Sequence, residues 1–293
     1  MKLDDFIGRH GLPASYAASA EQHYFPFADW LYYRIRPFDG DTFVLGINGA
    51  QGTGKSTCAD LIKAYLSAEH GLCSVVLSID DIYLTRRERR SLSRDVHPLL
   101  ETRGVPGTHD VDLGLQTIEQ LRRLEPDATM RIPRFDKSSD DRFPESEWPL
   151  VIGPVDLVIF EGWCVASQPC DPRELAQPVN SLERDEDADA VWRTFVNDKL
   201  DAEYKALFAT LDALLFLQAP NFDVVYQWRL QQEHQLRAKK GGAATAIMSD
   251  AEVARFIQFY ERITKDNIRH LPNVADAVIE LGVDHQPVSA TTG

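Results

Sequence analysis

The residues best placed to do chemistry stand in one stretch, Gly49-Ala50-Gln51-Gly52-Thr53-Gly54-Lys55-Ser56-Thr57. Positions 49 to 56 spell G-x-x-x-x-G-K-S, a loop that cradles the phosphates of a nucleoside triphosphate. Glycines tolerate positive φ and let the backbone approach a phosphate with no Cβ in the way. Successive N–H groups then face inward at the start of a helix, where the helix dipole also favours negative charge. Lys55 is expected on the β- and γ-phosphates, and the Ser56 hydroxyl on Mg²⁺.

Two further acids follow apolar runs. Asp80 and Asp81 come directly after Cys73–Ile79, and Glu161 ends Val155–Phe160. In open α/β sheets ligands gather at the carboxyl ends of strands, so all three are well placed. Glu161 has the position of a Walker B carboxylate that holds Mg²⁺ directly or through water, with an ordinary strand-end Glu as the bland alternative. Asp80, followed by Tyr83, suits a kinase of small alcohols: it can hydrogen-bond an acceptor hydroxyl and take its proton. Ser56, Asp80 and Glu161 are the expected metal group, and Lys55 and Asp80 the expected catalytic pair.

These groups need a scaffold that alternates strand and helix. Thr42–Ile47 reads as a buried strand before the loop. After it, Cys58, Leu61, Ile62, Tyr65 and Leu66 repeat at helical spacing, and Gly71 is a stop signal. Leu113, Leu115, Ile118 and Leu121 predict another helix, and Met130–Lys137 a short strand-like piece. Residues 171–212 read as polar and acidic, then helical. Leu214–Leu217 and Ala277–Leu281 read as further strands, and the tail from 284 to 293 as disordered. Residues 1–40 read as a helical extension before a core at 41–283, with Phe27, Trp30, Leu31 and Ile35 on one face, all within a single domain. Alternating elements of this kind imply a three-layer α/β/α fold with a mostly parallel sheet.

Residues 85–110 read as loop-like. The run Arg86-Arg87-Glu88-Arg89-Arg90 is expected to be a solvated face, whereas Gly, Pro and Gly in Arg103–Asp110 fix an unusual turn around Arg103, His109 and Asp110. Asn221 is a candidate N-cap for a helix carrying Arg229 and Arg237 into Lys239-Lys240-Gly241-Gly242. Such arginines beside a Gly-Gly hinge suit a lid closing on phosphate, although Arg229 is also spaced to pair with Glu233 at i,i+4. Ser249–Glu252 is a capping box opening the last helix, with Val253, Phe256, Ile257, Tyr260 and Ile263 as its apolar stripe.

Composition narrows the partners. The formal net charge is −14, which argues against nucleic acid or an acidic membrane surface. Four cysteines without C-x-x-C spacing point to free thiols in a reducing compartment. No apolar run is long enough to span a membrane, and Met1–Asp5 lacks the form of a signal peptide. A cytoplasmic protein acting on a small molecule is the expectation.

Ser78–Tyr83 resembles the segment shared by uridine kinase, pantothenate kinase and phosphoribulokinase, in which the first Asp lies beside the acceptor hydroxyl. More of the chain is similar to the D-glycerate 3-kinase family. The matching pieces are Gly49–Thr57, SIDDIYL (78–84), RGVPGTHD (103–110), PRFDK (133–137), Asp141-Arg142, FEGW (160–163), YQWRL (226–230) and MSDAE (248–252). That resemblance implies ATP and Mg²⁺ as cosubstrates and phosphorylation of the primary hydroxyl of D-glycerate. Its carboxylate would need a cation, for which Arg103, Lys137 and Arg142 are candidates. Asp81, Tyr83, His109 and Asp110 complete the expected substrate-binding set. A kinase of another small hydroxy compound and a P-loop ATPase switch acting on a protein partner are the other readings.

Overall fold

The computed structural model describes residues 1–38, 41–240 and 248–293, excluding the side chains of Lys239 and Lys240. Helices α1 (Leu3–His10), α2 (Tyr16–Ser19) and α3 (Phe25–Ile35) precede β1 (Phe43–Gly49), α4 (Lys55–His70) and β2 (Ser74–Ser78). Next come α5 (Arg86–Asp95), α6 (Val111–Arg122) and the short strands β3 (Thr129–Arg131), β4 (Phe135–Asp136), β5 (Asp141–Arg142) and β6 (Leu150–Ile152). The chain then forms β7 (Leu157–Gly162), α7 (Ser181–Glu186), α8 (Val191–Asp201), α9 (Glu203–Phe208) and β8 (Ala213–Gln218). It ends with α10 (Phe222–Lys240), α11 (Asp250–His270), β9 (Ala277–Leu281) and β10 (Pro287–Thr292).

The main sheet has the order β10-β9-β8-β1-β7-β2, parallel except for β10. Helices cover both faces, which is why β1 and β7 are buried throughout and read as near-continuous apolar runs rather than alternating. Val44, Val158 and Phe160 face one core. Phe43, Leu45, Ile47, Leu157 and Ile159 face the other, together with α4 and the N-terminal helices. Within those helices Phe27, Leu31 and Ile35 are buried and Trp30 is half-buried, its ring 5.0 Å from the Arg34 guanidinium.

Register brings the chemistry together. Ile47 pairs with Glu161 across β1 and β7, and Ser78 pairs with Glu161 across β2 and β7. The loop after β1, the acids after β2 and the Glu of β7 therefore leave the sheet at one edge.

Several expectations are corrected. The tail after Val283 is not disordered: Pro287–Thr292 forms β10, antiparallel to β9, because a two-stranded return satisfies an edge that would otherwise be open. Residues 85–110 are not a loop. Thr85 and Glu88 make a reciprocal capping box that starts α5, and Pro98–Glu101 forms a 3₁₀ turn. Nor is 130–137 one strand; Pro133 separates β3, which pairs with β6, from β4, which pairs with β5. The acidic run 181–190 is held internally, with Glu183 on Arg262 and buried Asp187 on buried Arg193 at 2.9 Å. Asn221 accepts from the Val224 N–H at 3.0 Å, and Ser249 and Glu252 cap α11. The expected hinge at Gly241-Gly242 lies outside the described residues.

Candidate active site

Residues 49–57 run from the end of β1 into the first turn of α4. Gly52 and Gly54 have φ of 87° and 79°, the left-handed region that glycine occupies at least cost. Gly54 caps α4 without a side-chain hydrogen bond, so the helix opens with free N–H groups and an uncompensated dipole. Thr53 closes the loop on itself, its hydroxyl donating to the Ala50 carbonyl at 2.8 Å.

The Ser56 hydroxyl donates to Glu161 Oε1 at 2.9 Å. Glu161 is buried, and its Oε2 has no hydrogen-bond partner among the described residues. Burial pushes the Glu161 carboxyl up, Asp80 adds to that, and Lys55 opposes both. An orphaned carboxylate oxygen beside a serine hydroxyl is a hard-oxygen donor set that fits Mg²⁺. Among the described residues no group of three or more His, Cys, Asp or Glu gathers at metal distance. Mg²⁺ requires none, since it commonly takes one or two carboxylates and completes its shell with phosphate and water.

Asp80 follows β2 in a short turn, its side chain 30% exposed. Tyr83 donates its hydroxyl to Asp80 Oδ1 at 2.7 Å, and Lys137 places its ammonium 2.6 Å from Oδ2. Burial pushes the Asp80 carboxyl up, but Lys137, Lys55 and the Tyr83 hydroxyl outweigh it and hold it at about 2. Asp80 is therefore ionised at any physiological pH. Each oxygen keeps lone-pair capacity for an incoming hydroxyl.

A cavity of about 750 Å³ opens from the Lys55 end of the loop, and Asp80, Tyr83, Arg103, Lys137 and Arg229 line it. Arg103 lies 5.5 Å from the Phe135 ring centroid and is paired with Asp140. Its neighbour Gly104 has φ 141°, and a Cβ there would sit 2.3 Å from the Tyr260 hydroxyl, so only glycine allows this approach. Arg229 makes the i,i+4 pair with Glu233 at 2.8 Å while still lining the cavity.

The other expected substrate residues stand elsewhere. Asp81 turns away to a second cavity, bonded to Arg134 at 2.8 Å, and burial pushes its carboxyl up. His109 is buried behind Tyr83, stacked on it at 4.6 Å between ring centroids, with Nδ1 2.5 Å from the Tyr204 hydroxyl. Burial lowers its imidazole to about 3, so it is neutral. Asp110 caps α6 and pairs with Arg142 at 3.0 Å. Arg142 also donates to the Tyr83 carbonyl at 3.0 Å, supporting the Asp80 turn from behind rather than lining the cavity. Arg237 donates to the Met248 carbonyl at 2.8 Å and is likewise absent from the cavity wall.

Among the lining residues, sequence reasoning missed Arg89, Asp140 and the role of the Tyr260 hydroxyl. Arg89, in a run expected to be solvated, is 1% exposed and donates to the carbonyls of Leu84, Glu101 and Asp140. The capping box Thr85-x-x-Glu88 could have signalled its helix, but not the burial, which depends on the distant Asp140. Asp140 itself sat unnoticed in a polar loop. Tyr260 was legible as apolar stripe; its hydroxyl, however, makes no hydrogen bond to a described residue and meets the cavity.

A phosphate-binding loop leaving a parallel sheet beside two strand-end acids and an adjoining cavity defines a P-loop kinase of small molecules. Relatives agree. Over 233 residues the chain is 38% identical to mug58, an uncharacterized kinase of Schizosaccharomyces pombe, across 76% of this chain and 79% of that one. It is 35% identical over 234 residues to the chloroplastic D-glycerate 3-kinase of Arabidopsis thaliana, across 76% of this chain and 47% of that one. The solved structure of D-glycerate 3-kinase from Cryptococcus neoformans superposes with a TM-score of 0.77 at 27% identity, covering 92% of this chain and 99% of that chain. No family model matches. The chain belongs to the D-glycerate 3-kinase family.

Proposed function

We propose that this enzyme transfers the γ-phosphoryl group of ATP to the primary hydroxyl of D-glycerate, with Mg²⁺, giving 3-phosphoglycerate and ADP. The observation that carries the reading is the ionised Asp80 between Tyr83 and Lys137, facing both the phosphate-binding loop and a cavity lined by Arg103. The acceptor O–H donates to Asp80. As the new O–P bond forms and the bond from the γ-phosphorus to the ADP oxygen breaks, the proton passes to the Asp80 carboxylate. Lys55 and Arg229 neutralise charge on the transferring group. Ser56 and Glu161 would hold Mg²⁺, which when bound would supply further charge neutralisation on the phosphate oxygens.

For the carboxylate of glycerate, Arg103 is favoured over the other two candidate cations. Lys137 is engaged by Asp80, and Arg142 by Tyr83 and Asp110. Arg89 and Arg103 share the single carboxylate of Asp140, so that pairing does not use up the five N–H donors of Arg103. The Tyr260 hydroxyl is a ready second donor. The test is an acceptor panel read by ADP release with MgATP: D-glycerate, L-glycerate, glycerol, a nucleoside and pantothenate. Stimulation by D-glycerate well above glycerol supports the assignment; stimulation by the nucleoside or pantothenate alone replaces it, and hydrolysis unaffected by any acceptor removes it.

A further inference from the structure

The C-terminal hairpin reaches the phosphate-binding loop. His285, in the turn between β9 and β10, has φ 65°, and its Nδ1 lies 2.9 Å from the Gly52 carbonyl oxygen, 233 residues away in sequence. Its ring stacks on Trp228 of α10 with 4.4 Å between centroids and 24° between planes. Trp228 Nε1–H in turn donates to the Val283 carbonyl at 2.8 Å, holding the near end of the same turn. The indole also packs on Gly52, where a Cβ would lie 2.7 Å from Trp228 Cβ.

The bond bears on one peptide plane. The Gly52 carbonyl accepts from His285, while the N–H of the same plane, that of Thr53, donates to the Ala50 carbonyl at 3.2 Å. Among the described residues no other side chain from outside the loop bonds the backbone of residues 50–54. A loop with two left-handed glycines is floppy by itself, and ordering it on ligand binding carries an entropic cost. Fixing the carbonyl end of this plane fixes where the neighbouring N–H groups point.

We propose that His285 is a positioning residue of the donor site: its Nδ1–H holds the Gly52–Thr53 peptide and preorganises the loop for the triphosphate. Trp228 makes the hairpin and α10 a single brace for that task. The inference rests on the reading of the loop as an ATP site. It also gives the segment 284–293 a part in donor binding, although none of its residues lines the cavity beside Asp80.

Two features of His285 make the test clean. It occupies the left-handed region, which glycine and asparagine tolerate, and Asn can present an N–H donor close to where Nδ1 stands. Three proteins are compared, wild type, His285→Gly and His285→Asn, by calorimetric titration with MgATP and by thermal melting. The Gly variant keeps the turn but loses the donor, and its Kd for MgATP should rise about fivefold to tenfold, the worth of one ordinary hydrogen bond. The Asn variant should return to within about twofold of wild type. Both lose the stack on Trp228 alike, so a merely structural role would lower their melting temperatures together and leave their MgATP affinities equal. Equal affinities in the two variants overturn the proposal. Failure of the wild type to bind MgATP would overturn the donor-site reading itself, a separate and recognisable result.

Discussion

The donor and acceptor halves of this site are built in opposite ways. The donor half is one continuous stretch, β1, loop and α4, and its chemistry is mostly backbone: N–H groups, two left-handed glycines and a helix dipole. The acceptor half is assembled from side chains on separate segments. Asp80 and Tyr83 come from the turn after β2, Arg89 from α5, Arg103 from the glycine turn and Lys137 from the β4–β5 hairpin. Arg229 and Tyr260 come from the last two long helices. A backbone cradle depends on few side chains, the proposed His285 brace among them, whereas a side-chain constellation loses a definite function with each member. That contrast gives a ranked set of tests.

The largest effect is expected at the junction of the halves. Asp80→Asn keeps the shape but not the charge or basicity, so kcat should fall by about 10²- to 10⁴-fold while the Kd for MgATP changes little. Single-turnover kinetics with calorimetry checks both; turnover near wild type would remove Asp80 from the chemistry. Next is Arg103→Met, which should raise the acceptor KM about 10- to 100-fold, as expected for losing a charge-assisted hydrogen bond, and spare the ATP KM. A parallel rise in both KM values would mean that the two halves are not separable.

The same contrast explains what the sequence disclosed. The donor half was legible because its spacing is local and its physics is that of glycine and a helix start. Asp80 and Glu161 were legible because an acid ending an apolar run falls at the carboxyl edge of the sheet. Arg89 was not, because a basic run gives no sign of which arginine meets Asp140 some fifty residues on. His109 and Asp110 were read as one cluster with Arg103, yet Gly104 and Gly107, both at positive φ, turn the chain so that His109 packs inward against Tyr204 while Arg103 faces the cavity. The hairpin at the C-terminus was hidden for a related reason. Pro287–Thr292 has only the weak alternation of Val288 and Ala290, with Val288 left exposed, and its pairing with β9 is what makes it a strand.

Lys137 tests how the halves communicate. Its ammonium is a principal cause of the low Asp80 carboxyl value, acting against burial. Lys137→Met removes that charge, so the Asp80 carboxyl rises above about 2 and protonates at a higher pH than in the wild type. If Asp80 is the base, as proposed, the ionised form is the active one, so activity is present above the folded value and lost as pH falls through it. The acid limb of kcat/KM should therefore move to higher pH in the variant. An unmoved limb would show that Lys137 does not set the charge state of Asp80 during turnover.

The smallest effect probes whether the acceptor half depends on helix positioning far from the chemistry. Thr85 opens α5, accepting from the Glu88 N–H at 3.3 Å while Glu88 accepts from the Thr85 N–H at 2.8 Å. Arg89, one turn further on, is bonded to Leu84, Glu101 and Asp140, and Asp140 also holds Arg103. Thr85→Ala should cost about 1 kcal/mol of stability, visible as a lower urea midpoint at unchanged slope. If the segments of the acceptor half hold one another in place, the loosened α5 shifts Arg89, then Asp140, then Arg103, and the acceptor KM rises a few-fold while the ATP KM stays put. If the midpoint falls and neither KM moves, α5 is only a cover for the core, and the acceptor wall is set by the glycine turn alone.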